Sequence, residues 1–333
     1  MLLPYIFQRI LLLVLLIFIL SICSFVIIEL PAGDFLTAYI SRLKMEGYDV
    51  SQEEAANLNR IYGLDKPIYQ RYLKWIGNIV LHGDLGRSLR HNKTVQALIG
   101  ERLIYTVAIS FCTIIITWLI AVPIGIFSAT HQYSLFDYIW TVIGFIGLGT
   151  PNFVLALLVM WVAFVVFGFG AVGLQSPEFL NSPWSIYRIL DLIKHLWVPV
   201  IIVAVTGTAG LIRITRGTLL DELKKPYVMT ARAKGVKEGK LLLRYPVRIA
   251  FNPLISTIGW MLPAIFSGEA LVAIVLNLPT IGPLLLDALL NQDMYLAGSI
   301  VLILGFLTIT GTIISDILLV WVDPRIRYGR VEG

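Results

Sequence analysis

The sequence predicts an all-α integral membrane protein with six transmembrane helices and a small extracytoplasmic domain between the first two. Three observations carry that expectation. The 333 residues are 57% hydrophobic and only 14% charged, with a mean hydropathy of +0.82, whereas a soluble domain carries about 25% charged residues. The charges collect between long stretches that hold none, the layout of a chain that crosses a bilayer repeatedly. One charged segment, 213–248, holds ten Lys and Arg against three Asp and Glu, a balance of ten minus three, or +7.

A spanning helix needs about 20 apolar residues. The N-terminal helix is predicted within 1–29, with its apolar run at 10–28. That run is too long for the core of a signal peptide, and Glu29-Leu30-Pro31 is no small-residue cleavage site. A retained anchor is the expectation. Residues 30–103 carry charges of both signs and form the predicted extracytoplasmic domain. Within it, Ser51-Gln52-Glu53-Glu54 reads as a capping box and Leu64-Asp65-Lys66-Pro67 as a helix stop and turn. Tyr69, Tyr72, Leu73, Trp75 and Ile76 give an amphipathic helix, and Gly83-Asp84-Leu85-Gly86 a tight turn. The remaining spans are predicted at 104 to about 128, 138 to about 167, 196–212, 249 to about 276 and 294 to about 315.

Orientation follows from Lys and Arg. The basic segment 213–248 is expected in the cytoplasm, and 277–293, with no Lys or Arg, is expected as an external loop. Both termini then lie inside, in agreement with Arg9, Arg325, Arg327 and Arg330. The net charge of +5 does not indicate nucleic acid, because the basic residues sit between apolar spans without a binding motif. Cys23 and Cys112 fall in apolar stretches and read as small helix residues, with neither a disulfide nor a metal indicated.

Several spans are interrupted. Gly144, Gly147, Gly149 and Pro151 predict a kink near Thr150, either lining a cavity or allowing close helix packing. Pro123, Pro199, Pro253 and Pro263 also fall at or inside spans. Glu269 is the one carboxylate well inside a span. It needs a partner, a cavity or water, as a gate residue or as a group near the outer end that snorkels or hydrogen-bonds across helices. Asp316 reads as a member of an interfacial ion pair. In the basic segment Pro226 fits a helix start, Tyr227, Val228, Ala231 and Val236 are the apolar members, and Gly235 marks the end. Such a helix could lie on anionic lipid or dock into a soluble partner.

Residues Tyr227-Val228-Met229-Thr230-Ala231-Arg232-Ala233-Lys234-Gly235 resemble the cytoplasmic signature of binding-protein-dependent ABC importer permeases. The general pattern is Glu-Ala-Ala, three residues, then Gly; Met229-Thr230-Ala231 stands in its place, with Gly235 at the right spacing. Tyr245-Pro246-Val247 and Asn252-Pro253 replace the usual Ile-x-Leu-Pro ending, a departure shared by peptide-type permeases. Residues 62–67, Tyr69, Tyr72, Trp75 and the run Gly83-Asp84-Leu85-Gly86-Arg87-Ser88 resemble the external domain of the B-type subunit of dipeptide and oligopeptide importers. Leu278-Pro279-Thr280-Ile281-Gly282 resembles its external Pro-Gly loop, and Asp316 with Asp323-Pro324-Arg325-Ile326-Arg327 its C-terminus.

The resemblance implies a type I ABC importer permease fold. It implies a core domain at 104–323 with a coupling helix at about 225–236, and a cytoplasmic tail at 324–333. Coupling to an ATPase subunit would fall to Tyr227, Met229, Thr230, Ala231, Ala233 and Gly235. Pathway or gate candidates are Glu269, Pro151, Asn152, Pro279 and Gly282. Docking candidates for a binding protein are Asp65, Trp75, Asp84 and Arg87. The implied partners are a homologous permease subunit, two ATP-binding subunits, an extracytoplasmic solute-binding protein and membrane lipid, in a bacterial or archaeal plasma membrane. The implied solutes are peptides or relatives such as oligosaccharides. Ala273 stands where peptide-type members usually carry a Glu, with Glu269 one turn earlier.

ATP and Mg are expected on the partner subunits. Residues 235–240 (GVKEGK) are followed by Leu241 and lack phosphate-loop spacing. His82, His91, His131 and His195 are scattered and form no catalytic cluster with a nucleophile in a span. The rival reading is a secondary transporter or channel working without ATPase partners. It predicts inverted repeats and several midplane ionisable residues. No clear repeat is visible, and Glu269 is the one candidate carboxylate.

Overall fold

The computed structural model describes residues 2–29, 66–88, 90–167, 173–179 and 182–322. The predicted capping box at 51–54, Asp65 and the motif at 323–327 lie outside the described residues. The described residues are mostly helical. Helix α1 is Leu2–Glu29, α2 Ile68–His82, α3 Val95–Thr130, α4 Leu135–Gly149, α5 Asn152–Phe167 and α6 Ile186–Leu223. Then follow α7 Pro226–Ala233, α8 Glu238–Arg244, α9 Pro246–Val275, α10 Ile281–Leu290 and α11 Met294–Val322. A short hairpin pairs β1 (Arg87–Ser88) with β2 (Lys93–Thr94).

Among the described residues, four helices are long and apolar enough to cross a membrane: α1, α3, α6 and α11. Helices α4 and α5 together pass the same test but meet at 104°. The sequence predicts one kinked span here. The structure has two helices with a complete break, and the cause is local. Pro151 forbids the helical region to its predecessor, so Thr150 is extended at φ −98°, ψ 120°. Helix α9, of 30 residues, covers the span predicted at 249 to about 276 as far as Val275.

Two expectations need correction. The segment 277–293, expected as an external loop, contains α10, whose ten residues are too few to span. The span expected at 196–212 is the middle of the 38-residue α6. Charged side chains on its N-terminal flank find hydrogen-bond partners within the fold, so the helix continues beyond the apolar stretch. Arg188 donates to Ser182 O at 2.5 Å and to the Tyr105 hydroxyl at 3.0 Å, and Asp191 accepts from Ser176 N and Oγ.

The chain forms two compact units. The first comprises 1–104 and 283–309, the second 105–282 and 310–333. In the first, Phe25, Ile28, Trp75, Met294 and Leu302 make the core. Helix α11 presses against α1 there because Gly298 and Gly305, seven residues apart, present no side chain: a Cβ at either would meet Ile28 or Leu20 at 2.4 Å. Helix α2 is fixed to α1 by the Tyr72–Ser21 hydroxyl contact at 2.8 Å and the Arg71–Glu29 ion pair. In the second unit a core runs through α3, α5, α6 and α9, with Ile109, Ile202 and Val272 fully buried in it. A smaller cluster of Val228, Ala231 and Leu241 lies beneath α7.

Candidate functional site

Helix α7 is built by its two ends. Pro226 occupies the first turn, where the missing N–H costs nothing. At the other end Gly235 takes φ +75°, Gly235 N donates to Arg232 O at 3.0 Å, and Val236 N donates to Ala231 O at 3.3 Å. These paired bonds close the last turn as a Schellman motif, and Val236 packs back on the cluster containing Ala231. Open space surrounds Gly235, so its backbone conformation, not crowding, calls for glycine.

The six coupling candidates divide between two faces, and Val228 joins the buried one. Val228 and Ala231 are three residues apart and both buried, at 0% and 8% exposure, over Leu241 of α8. Tyr227 is half-buried beside them, and its hydroxyl donates to Glu222 Oε2 at 2.5 Å. Burial, then the Glu222 carboxylate, push that hydroxyl above its ordinary value of 10.0, so it stays a donor. Met229, Thr230, Ala233 and Gly235 are exposed. Ala231 therefore seats the helix, and Met229, Thr230 and Ala233 form its open face.

The pathway candidates fall in two places. Pro151 is exposed at the α4–α5 break, and Asn152 opens α5 with its Oδ1 accepting from Thr206 Oγ1 of α6 at 2.7 Å. Glu269 of α9 is only 1% exposed. Its polar neighbour is the Thr280 hydroxyl, also buried. Glu269 Oε1 and Thr280 Oγ1 nevertheless lack hydrogen-bond geometry. The loop that presents Thr280 is tightly held. Leu278 N donates to Ala273 O at 2.8 Å, and Ile281 N donates to Thr106 Oγ1 at 3.0 Å. Gly282 lies against α9, where a Cβ would meet Ala270 Cα at 2.6 Å. Pro279 is half-buried in the same turn. The structure thus brings Glu269, Pro279 and Gly282 together and leaves Pro151 and Asn152 with α6.

The docking candidates behave differently from one another. Trp75, at 6% exposure, lies in the core against Phe25, so it fixes α2 and is not presented. Asp84 accepts from Gly86 N at 2.9 Å and from Gln96 Nε2 at 3.2 Å, closing the turn before the hairpin. Arg87 donates to Asn92 Oδ1 at 2.6 Å across the hairpin.

Polar pairs between residues far apart in sequence occur in both units. Asp293, almost fully buried, accepts from the Ser88 hydroxyl. Burial pushes its carboxyl above the ordinary 3.8, and the Ser88 bond partly offsets that. Asp287 of α10 receives His91 Nε2 at 3.0 Å and Arg90 Nε at 3.4 Å. On α6, Arg216 forms a two-bond fork with Asp137 of α4. None of these pairs carries a local sequence signal, since their members lie 79 to 205 residues apart.

Comparison with known proteins agrees with this architecture. The family described as "Binding-protein-dependent transport system inner membrane component" matches residues 121–328. The chain is 36% identical to the oligopeptide transport system permease protein AppB of Bacillus subtilis, over 97% of this chain and 99% of that protein. It is 32% identical to a putative peptide permease protein of Brucella suis, over 92% and 94% of the two chains. It is 31% identical to the inner membrane ABC transporter permease protein YejB of Escherichia coli O157:H7, over 85% and 78%. With its apolar helices, its broken span and this match over most of its length, the chain is a multi-pass membrane protein that belongs to the family of binding-protein-dependent transport system inner membrane components.

Proposed function

We propose that this chain is the permease subunit of an ATP-driven importer and that its solutes are peptides delivered by an extracytoplasmic binding protein. It pairs with a homologous permease subunit and with two ATP-binding subunits, which hold the ATP and Mg. Six spans are made by α1, α3, the bent pair α4 and α5, α6, α9 and α11. Both termini and the basic segment face the cytoplasm, as the excess of Lys and Arg favours. Residues 30–103 form the extracytoplasmic domain and residues 104–323 the core. The peptide assignment is supported by the names of the relatives, an oligopeptide permease and a peptide permease among them.

The observation that carries this reading is the two-faced build of α7. An eight-residue helix is too short to persist alone in water. Here it is seated by Val228 and Ala231 and closed by Gly235, which leaves Met229, Thr230 and Ala233 outward. That is the form of a helix offered to a cleft in another protein. Closure of the ATPase pair would displace α7 and, through α6, the membrane helices. Glu269, Thr280, Pro279 and Gly282 would gate the external end of the pathway. The break at Pro151 and Asn152 supplies a pivot within it. Asp84 and Arg87 shape the surface offered to the binding protein.

Changing Ala233 to Glu tests the reading, because the site is exposed and the fold tolerates the substitution. The variant should insert at the wild-type level, lose the ATP-binding subunits on purification and reduce uptake to background. Wild-type uptake by this variant, or uptake in vesicles without ATP, would sink the proposal.

A further inference from the structure

We propose that the Asp137–Arg216 ion pair is a positioning latch that makes α4 move as one body with α6 when α7 is displaced. The proposal rests on the reading of α7 as the coupling helix. It begins with the ion pair itself. Arg216 Nε donates to Asp137 Oδ1 at 2.7 Å and Nη2 donates to Oδ2 at 2.8 Å. Tyr133 N adds a third bond, to Oδ2 at 3.0 Å. Asp137 is 3% exposed, so this carboxylate is withdrawn from water and held by its partners. A planar fork on a planar carboxylate fixes an angle as well as a distance, which a lysine could not do. Asp137 also lies in the first turn of α4, capped by Ser134, where a negative charge suits the helix dipole.

The two helices are also in register. Asp137 faces Arg216, Gly144 faces Ala209, and Gly147 faces Val205 and Thr206. From 137 to 147 along α4, and from 206 to 216 along α6, the interval is the same ten residues, about 15 Å of helix. The helices therefore run antiparallel and are tied at both ends. One tie is the ion pair. The other is Thr206 Oγ1, which reaches Asn152 Oδ1 at 2.7 Å and Gly147 O at 3.4 Å. Between the ties the contact is apolar, with a Cβ at Gly144 reaching Ala209 Cβ at 3.9 Å, and at the Thr206 tie it is close: a Cβ at Gly147 would lie 3.0 Å from Val205 Cγ1.

The ion-pair end is the one nearer α7. Arg216 lies two turns before the end of α6 at Leu223. Lys225 N returns to Glu222 O at 3.1 Å, and Tyr227 bonds the Glu222 side chain. A displacement of α7 thus reaches α6 through a turn with little slack. With the latch closed, α4 follows along its length and carries the α4–α5 break with it. With the latch open, the end of α4 near Asp137 keeps only non-directional packing, through Trp140 against Leu211 and Ile212 and through Phe136 against Phe127, which lets it slide and lag.

The test uses the full complex in proteoliposomes, with its ATP-binding subunits and binding protein. It reads uptake of a labelled tripeptide per ATP hydrolysed. Asp137→Asn and Arg216→Lys should assemble with the ATP-binding subunits and hydrolyse ATP at near wild-type rates. Uptake per ATP should fall about tenfold in both. An unchanged ratio in Arg216→Lys, or a loss of uptake that only tracks the amount of complex assembled, overturns the latch. A wild-type chain that purifies without ATP-binding subunits overturns the reading of α7 instead, and the latch with it.

Discussion

The seat of α7 and the hold on the β1–β2 hairpin solve a similar problem with opposite chemistry. Each fixes a short element that could not persist alone. Beneath α7 the contacts are apolar: Val228, Ala231 and Leu241, with Tyr227, Val236 and Tyr245 around them. Around the hairpin they are polar and directed: Ser88 to Asp293, His91 and Arg90 to Asp287, and Ser299 Oγ to Leu85 O. Apolar burial is non-directional and tolerates small shifts of a seated helix. Hydrogen bonds lose strength steeply with angle and fix one arrangement. The difference suits the proposed roles, a coupling helix that must move at one site and a docking frame that must stay fixed at the other.

The comparison breaks most visibly at Val228. Changing Val228 to Asp puts an unpaired carboxylate into the fully buried apolar cluster. An uncompensated buried charge costs roughly 3–5 kcal/mol, more than eight residues of helix can recover. The segment 224–240 should become sensitive to protease while the spans stay inserted, and uptake should be lost. If 224–240 resists proteolysis as in the wild type, the apolar seat does not hold α7.

At the hairpin the corresponding change is smaller and depends on pH. Ser88→Ala leaves Asp293 buried without its hydroxyl donor, keeping the weaker backbone bond from Leu296 N, a loss of about 1–3 kcal/mol. The sign follows from the raised Asp293 carboxyl. A group raised in the folded state contributes stability that is complete below its unfolded value, near 3.8, and is lost as pH rises through the higher folded value. Hydrogen exchange of amides 86–96, corrected for intrinsic rates, should therefore show protection declining above pH 4. The decline should be steeper in Ser88→Ala and flat in Asp293→Asn. An Asp293→Asn profile that declines like the wild type removes Asp293 as the cause.

What the sequence made legible divides along the same line. Helix α7 was readable because its signals are local: Pro226 starts it, Gly235 stops it, and Tyr227, Val228 and Ala231 mark one face. The break near Thr150 was readable because Pro151 acts on its immediate neighbour. The full length of α6 was not. Arg188, Asp191 and Arg216 look like loop residues until their partners Tyr105, Ser176 and Asp137 are brought to them by folding. Helix α10 was missed because ten residues carry less than three turns of pattern, and the absence of Lys and Arg said only which side of the membrane to expect. Trp75 carries an external-domain signature, yet sequence cannot tell that the ring turns inward onto Phe25.

The smallest effect separates the seat of α7 from its cap. Gly235→Ala leaves Val228 and Ala231 untouched and meets no neighbour within 4 Å. Its cost is the left-handed backbone at φ +75°, about 1 kcal/mol for a residue with a Cβ. If the apolar seat is the main anchor, the last turn frays but the helix stays. The ATP-binding subunits should still co-purify, and uptake should fall by no more than about fivefold, the equivalent of that penalty. Loss of the subunits in Gly235→Ala would instead place the anchor in the cap, where the bonds from Gly235 N and Val236 N are made. The seat and the hairpin would then both depend on directed hydrogen bonds, and the contrast between a sliding and a fixed element would fail at its cheapest test.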